Sequence, residues 1–271
     1  MILHAIETPV SPGRIPGADA APPLVLLHGL FGQGGNFGTV QRRLAAPGGI
    51  AGGRRVLAFD LRNHGASRHI PGMTYPGMAE DVLETLREHQ ALPCTLLGHS
   101  MGGKVAMLAA LEAPAAVSRL IVADIAPAAY PPAHRPLADA MMAVPLTPDL
   151  TRPAADAILA SVAPPAVRAF LLHNLVLGER PFWRFNLSAI AAALPTLEDW
   201  PRRDVAPYPG LALFIAGARS DYLRPEHRPA IRALFPRAIH VTLKDAGHWV
   251  HADNPDGFVA LVESFLAIPD G

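Results

Sequence analysis

The sequence predicts an α/β fold, with a mostly parallel central sheet, helices on both faces and a helical segment inserted in the second half. Three observations carry this. Short apolar runs recur at residues 24–28, 55–60, 94–98, 120–125, 211–215 and 239–243, as strands buried on both faces do. Helical stretches fall between them, the alternation that builds a parallel sheet. From 128 to 206 the alternation stops. Helical stretches at 137–143, 153–162, 165–175 and 187–194 follow one another, several opened by a proline, and no strand is evident. The expectation is a core domain of 1–127 and 207–271, with 128–206 a cap, or lid, over the sheet edge.

Bulk composition narrows the class. Of the 271 residues, 50% are hydrophobic and 17% charged, which excludes a disordered chain and supports a sizeable core. Lys plus Arg number 23 and Asp plus Glu number 23, so no basic footprint for nucleic acid or an anionic membrane is expected. No run approaches the ~18 apolar residues of a membrane span, and residues 1–10 do not read as a secretory signal. One cysteine, Cys94, leaves no internal disulfide and no cysteine-based zinc site. A soluble, cytoplasmic protein is expected, as either monomer or homodimer.

Along the chain, each strand end brings a polar loop. Strand 24–28 runs into His28-Gly29-Leu30-Phe31-Gly32, where the N–H of Leu30 or Phe31 can point into a site; Leu30 is taken as the oxyanion donor. The following glycines do not make a dinucleotide fingerprint, because Phe37 stands where the third glycine belongs. Strand 55–60 ends in Asp60-Leu61-Arg62-Asn63-His64-Gly65-Ala66-Ser67, read as a structural loop whose buried hydrogen bonds support the oxyanion loop. Thr74 and Pro76, followed by Met78, Val82 and Leu86, read as a capped amphipathic helix.

Strand 94–98 carries the sharpest feature, Gly98-His99-Ser100-Met101-Gly102, directly before a good helix. Gly-x-Ser-x-Gly at a strand-to-helix turn is a nucleophile elbow, with its serine hydroxyl exposed on a sharp turn. The flanking glycines are needed because a Cβ would clash where strand and helix close together. The helix N-terminus offers the Met101 N–H to a developing oxyanion. The same run nearly spells a phosphate-binding loop, but Val105 replaces the hydroxyl residue that would hold magnesium.

A serine needs a base, and the base needs an orienting group. His248 follows the last strand, on the edge where the elbow sits, and is the expected base; His251 and His240 are the structural alternatives. Asp124, ending strand 120–125, and Asp221, after strand 211–215, are both candidate acids, and either gives the order Ser, Asp, His. Asn254-Pro255 opens the final helix, with Phe258, Leu261, Val262 and Phe265 on one face.

These motifs, with Asp124-Ile125-Ala126-Pro127, Trp183-Arg184-Phe185-Asn186 and Gly247-His248-Trp249-Val250-His251, resemble the α/β-hydrolase superfamily. More narrowly, residues 22–267 resemble YbfF-type bacterial esterases and their mitochondrial abhydrolase relatives. The resemblance implies hydrolysis of acyl esters and thioesters, acyl-CoA among them, with no metal or organic cofactor. It also implies Asp124 as the triad acid. The commoner superfamily position for that acid holds Ser220 here, one residue before Asp221.

The expected mechanism is acyl transfer by Ser100, His248 and Asp124, with Leu30 and Met101 as oxyanion donors and a small-molecule acyl ester or thioester as partner. Phe31, Trp183, Phe185 and Trp249 are expected to line an apolar acyl pocket, beside Phe182 and Trp200 of the cap. A lyase or C–C bond hydrolase on the same scaffold stays open, as does a non-catalytic binding protein.

Overall fold

The computed structural model describes residues 1–8, 21–46, 54–201 and 204–269; the other residues of the expected core and cap ranges lie outside these. The described strands and helices follow in order: β1 (His4–Thr8), β2 (Leu24–Leu27), α1 (Gly38–Ala45), β3 (Val56–Asp60), α2 (Tyr75–Glu88), β4 (Cys94–His99) and α3 (Met101–Glu112). β5 (Val117–Ala123) ends the first half. After it come α4 (Arg135–Met142), α5 (Arg152–Leu159), α6 (Pro165–His173), β6 (Leu175–Val176), β7 (Phe182–Trp183) and α7 (Leu187–Glu198). The chain closes with β8 (Leu211–Gly217), α8 (Arg228–Leu234), β9 (Ala238–Leu243), α9 (Val250–Asp253) and α10 (Pro255–Leu266).

Seven strands form one sheet in the order β1-β3-β2-β4-β5-β8-β9, parallel except for β1 against β3. The central strands are largely apolar because both faces are covered, and alternate side chains divide between two cores. Leu27, Phe59, Leu96, Val122 and Phe214 pack with α2, α3 and the segment between β5 and β8. Leu26, Ala58, Leu97, Ile121 and Ile215 pack with α1 and α10 on the other face. The expected caps are present: Thr74 Oγ1 accepts from the Gly77 N–H, and Asn254 Oδ1 accepts from the Gly257 N–H.

Three features differ from the sequence reading. β1 was not foreseen; its five residues, His-Ala-Ile-Glu-Thr, sit at the sheet edge with half-exposed faces and so lack an apolar run. The segment after β5 is not purely helical, since β6 and β7 pair antiparallel, Leu175 with Trp183 and Val176 with Phe182. β5 stops at Ala123 rather than 125, and Asp124 turns away with φ 53°.

Candidate active site

The parallel strands deliver their following loops to one edge of the sheet. β4 turns into α3 through Ser100, whose backbone sits at φ 52° and ψ −120°, a conformation a non-glycine residue holds only when its surroundings impose it. The flanking glycines are obligatory. A Cβ on Gly98 would lie 2.1 Å from the Gly102 carbonyl oxygen, and one on Gly102 would lie 2.3 Å from that of Leu27.

Ser100 Oγ donates to His248 Nε2 at 2.9 Å, and His248 Nδ1–H donates to Asp124 Oδ2 at 2.8 Å. Asp124 is 0% exposed. It also accepts the Gly217 N–H on Oδ1 at 3.0 Å and the Ser220 hydroxyl on Oδ2. The Asp221 side chain, by contrast, is 89% exposed and faces Arg224 at 3.4 Å, so it does not reach the histidine.

The His248 ring is held from three sides. Tyr222 stacks on it with ring centroids 4.0 Å apart, His99 Nε2–H donates to its backbone carbonyl at 2.8 Å, and Asp124 fixes the tautomer. The sequence reading missed Tyr222 and His99 in these roles. His99 lay inside the elbow motif, so its position was a usable signal; Tyr222 had none beyond its nearness to Asp221.

The loop after β2 is set by its neighbour, the loop after β3. His28 Nδ1–H donates to the Gly29 carbonyl and His28 Nε2 accepts from the Leu61 N–H. His64 Nδ1–H donates to the Arg62 carbonyl and His64 Nε2 accepts from the Phe31 N–H at 3.2 Å. Each loop thus ends on the other's histidine. Burial pushes both imidazoles below the usual histidine range, which leaves them the acceptors this clasp requires. With Phe31 N–H engaged, Leu30 is the donor with no partner among the described residues; the Met101 N–H, at the first position of α3, has none there either. Asp60 completes the loop, accepting from the Gly34 and Ala66 N–H groups.

Lys104 belongs to no phosphate site. It is 1% exposed, its ammonium donates to the Asp199 carbonyl at 2.7 Å, and it lies over the rings of Tyr75 and Tyr130. Burial pushes its pKa down to about 8. Among the described residues no group of three or more His, Cys, Asp or Glu could hold a metal ion.

A cavity of about 290 Å³ opens over Ser100 and His248. Phe31 and Trp249 line it, with Leu137, Val167, Phe170 and Leu171 from α4 and α6. Trp183 and Phe185, expected in the same pocket, do not line it. They stack on each other at 5.5 Å, and Phe185 backs Phe31 from outside at 5.4 Å. Hydrogen bonds anchor them elsewhere: the Asn186 N–H donates to the Asn63 carbonyl, so the chain beside Phe185 is tied to the loop after β3.

A family model described as "Alpha/beta hydrolase family" matches residues 24–261. The chain belongs to the alpha/beta hydrolase family. It is 42% identical over 267 residues to the sn-1-specific diacylglycerol lipase ABHD11 of Mus musculus, covering 96% of this chain and 85% of that one. It is 36% identical over 249 residues to Esterase YbfF of Escherichia coli K12, covering 90% and 92%. Among solved structures it matches a marine microorganism esterase with a TM-score of 0.87 and 30% identity, covering 97% and 99%. This α/β-hydrolase is therefore an enzyme of the esterase and lipase kind. Among its described residues no helix is long and apolar enough to cross a membrane.

Proposed function

We propose that the chain is a serine hydrolase that cleaves carboxylic ester or thioester bonds, acyl-CoA-like thioesters included, through an acyl-enzyme on Ser100. The observation that carries this reading is the unbroken hydrogen-bond line from Ser100 Oγ through His248 to the buried Asp124. Ser100 Oγ attacks the acyl carbonyl while His248 Nε2 takes its proton. Asp124 keeps the imidazole in the tautomer that leaves Nε2 free to accept, and stabilises the imidazolium that forms. The Met101 and Leu30 N–H groups receive the oxyanion, a contribution of about 3–4 kcal/mol per donor in comparable sites. His248 then returns the proton to the leaving alcohol or thiol, and water activated by the same imidazole releases the acid.

Residues 128–206 act in this reading as a cap. Their Leu137, Val167 and Phe170 form an apolar wall for the acyl chain, together with Phe31 and Trp249 of the core. The names of the relatives support ester substrates, from a diacylglycerol in the mouse protein to the unspecified esters of the Escherichia coli one. A cytoplasmic location belongs to the same proposal.

The test joins a fluorophosphonate probe to a panel of p-nitrophenyl esters of rising chain length. Wild-type protein should be labelled and should release p-nitrophenol. Ser100→Ala should do neither, with turnover falling about 10⁵-fold or more while the melting curve is kept. Labelling without release at any chain length would favour the lyase or C–C hydrolase reading. No labelling would remove the serine mechanism.

A further inference from the structure

His251 lies on α9, three residues after His248, and forms part of the cavity wall. Only 6% exposed, its ring packs against Phe37 at 4.7 Å and His99 at 4.8 Å. Its Nδ1 is buried with no hydrogen-bond partner, and neither ring nitrogen has one among the described residues. The neighbouring buried imidazoles differ. His28 and His64 engage both nitrogens and His99 engages one. Protein interiors almost always pair such groups, so an imidazole left unpaired in the wall of an active cavity points to a ligand group.

The cavity has two chemically different walls. The one contributed by α4 and α6 is apolar, and Phe170 closes on Trp249 at 5.5 Å. The one contributed by the core loops carries His251, His28 and Asn36. Asn36 Oδ1 accepts from the Gln33 N–H, while its Nδ2 has no partner among the described residues. We infer that this second wall is a polar subsite that binds a hydroxyl group of the substrate, with His251 as the specificity-determining residue. Burial pushes the His251 imidazole down to about 4, so near neutrality it is uncharged, and a ring nitrogen can meet a hydroxyl as donor or acceptor according to the tautomer. A hydroxylated ester fits both walls, its hydrocarbon on the apolar side and its hydroxyl on His251. The inference rests on the hydrolase reading above.

Matched substrate pairs test it. 3-Hydroxypropyl butanoate against butyl butanoate exchanges a hydroxyl for a methyl on the alcohol side; ethyl 3-hydroxybutanoate against ethyl 3-methylbutanoate does so on the acyl side. In at least one pair, wild-type kcat/KM should favour the hydroxylated ester by about tenfold or more, chiefly through KM. The pair that shows the preference tells which side of the ester the subsite binds. His251→Phe should abolish that preference, and His251→Gln, which keeps a donor and an acceptor, should retain part of it. Equal rates in both pairs with wild-type enzyme would overturn the inference before any variant is made. A preference that survives in His251→Phe would overturn it as well. Absence of Ser100-dependent turnover of butyl butanoate would instead remove the hydrolase reading, and the subsite with it.

Discussion

At the carboxyl edge of the sheet, Phe31, Asn63, Ser100 and Asp124 all hold positive φ, and His28, His64, His99 and Asp124 are buried polar groups. Across residues 128–206, Gly178 alone among the described residues holds positive φ, and the buried polar side chains there are Asn174 and Glu198. Both of those serve joints. Asn174 Nδ2–H donates to the Phe31 carbonyl, and the Glu198 carboxylate accepts from the Ala133 and His134 N–H groups at the start of α4. One region gives up locally favourable backbone and solvation to hold atoms in a fixed geometry; the other is regular, amphipathic and fitted by burial. Changes at the edge should therefore act on turnover and pH response, and changes between β5 and β8 on substrate selection.

The largest effect is expected for Asp124→Asn. An amide favours the wrong histidine tautomer, and kcat for ester hydrolysis should fall about 10⁴-fold with the melting curve retained. A loss below tenfold would break the comparison at its strongest point.

Acid should weaken the edge next. His28, His64, His99 and His251 are all held below the usual histidine range, chiefly by burial. The unfolded chain binds protons near pH 6.5 that the native chain refuses, so stability is complete above that value and is lost as pH falls through the folded pKa values. For His251, with a folded pKa of about 4, the loss at pH 5 is about 2 kcal/mol. Melting temperature should drop steadily between pH 7 and 5; a flat profile would show that these imidazoles are solvated.

Smaller effects sharpen the boundary between the regions. Ser220→Ala removes one hydrogen bond to a buried carboxylate, and kcat should fall about thirtyfold with little change in KM. Phe170→Ala on α6 should raise KM for long-chain p-nitrophenyl esters about tenfold and leave kcat within a few-fold, read from a chain-length series. A kcat loss equal to that of Ser220→Ala would place α6 in the turnover machinery. Smallest of all, Asp221→Asn should change kcat less than about tenfold, since this carboxylate is exposed and faces Arg224. The reverse ranking of the two aspartates would move the acid to the loop after β8.

Much of the edge was legible in the residues alone, because its constraints are local. Gly98 is demanded by close approach within five residues of chain, and Thr74 and Asn254 cap helices whose apolar faces begin beside them. The apolar runs of β2 to β5 and β8 announce strands covered on both faces, and parallel connection sends the following loops to one edge. His248 could be placed by that rule without any pattern around it.

Tertiary structure decided what depends on partners far along the chain. Asp124 and Asp221 carry the same carboxyl on neighbouring strand ends; only the N–H of Gly217 and the hydroxyl of Ser220, 93 and 96 residues from Asp124, turn one of them inward. β6 and β7, two residues each, are too short for their residues to announce a strand, and they are defined by pairing with each other. Trp183 and Phe185 were read as pocket residues from their apolar rings, a property that drives burial without choosing the cavity. Hydrophobicity is non-directional, so the sequence by itself settled which side chains are inside, and the packing of α4, α6 and α7 settled which of them face Ser100.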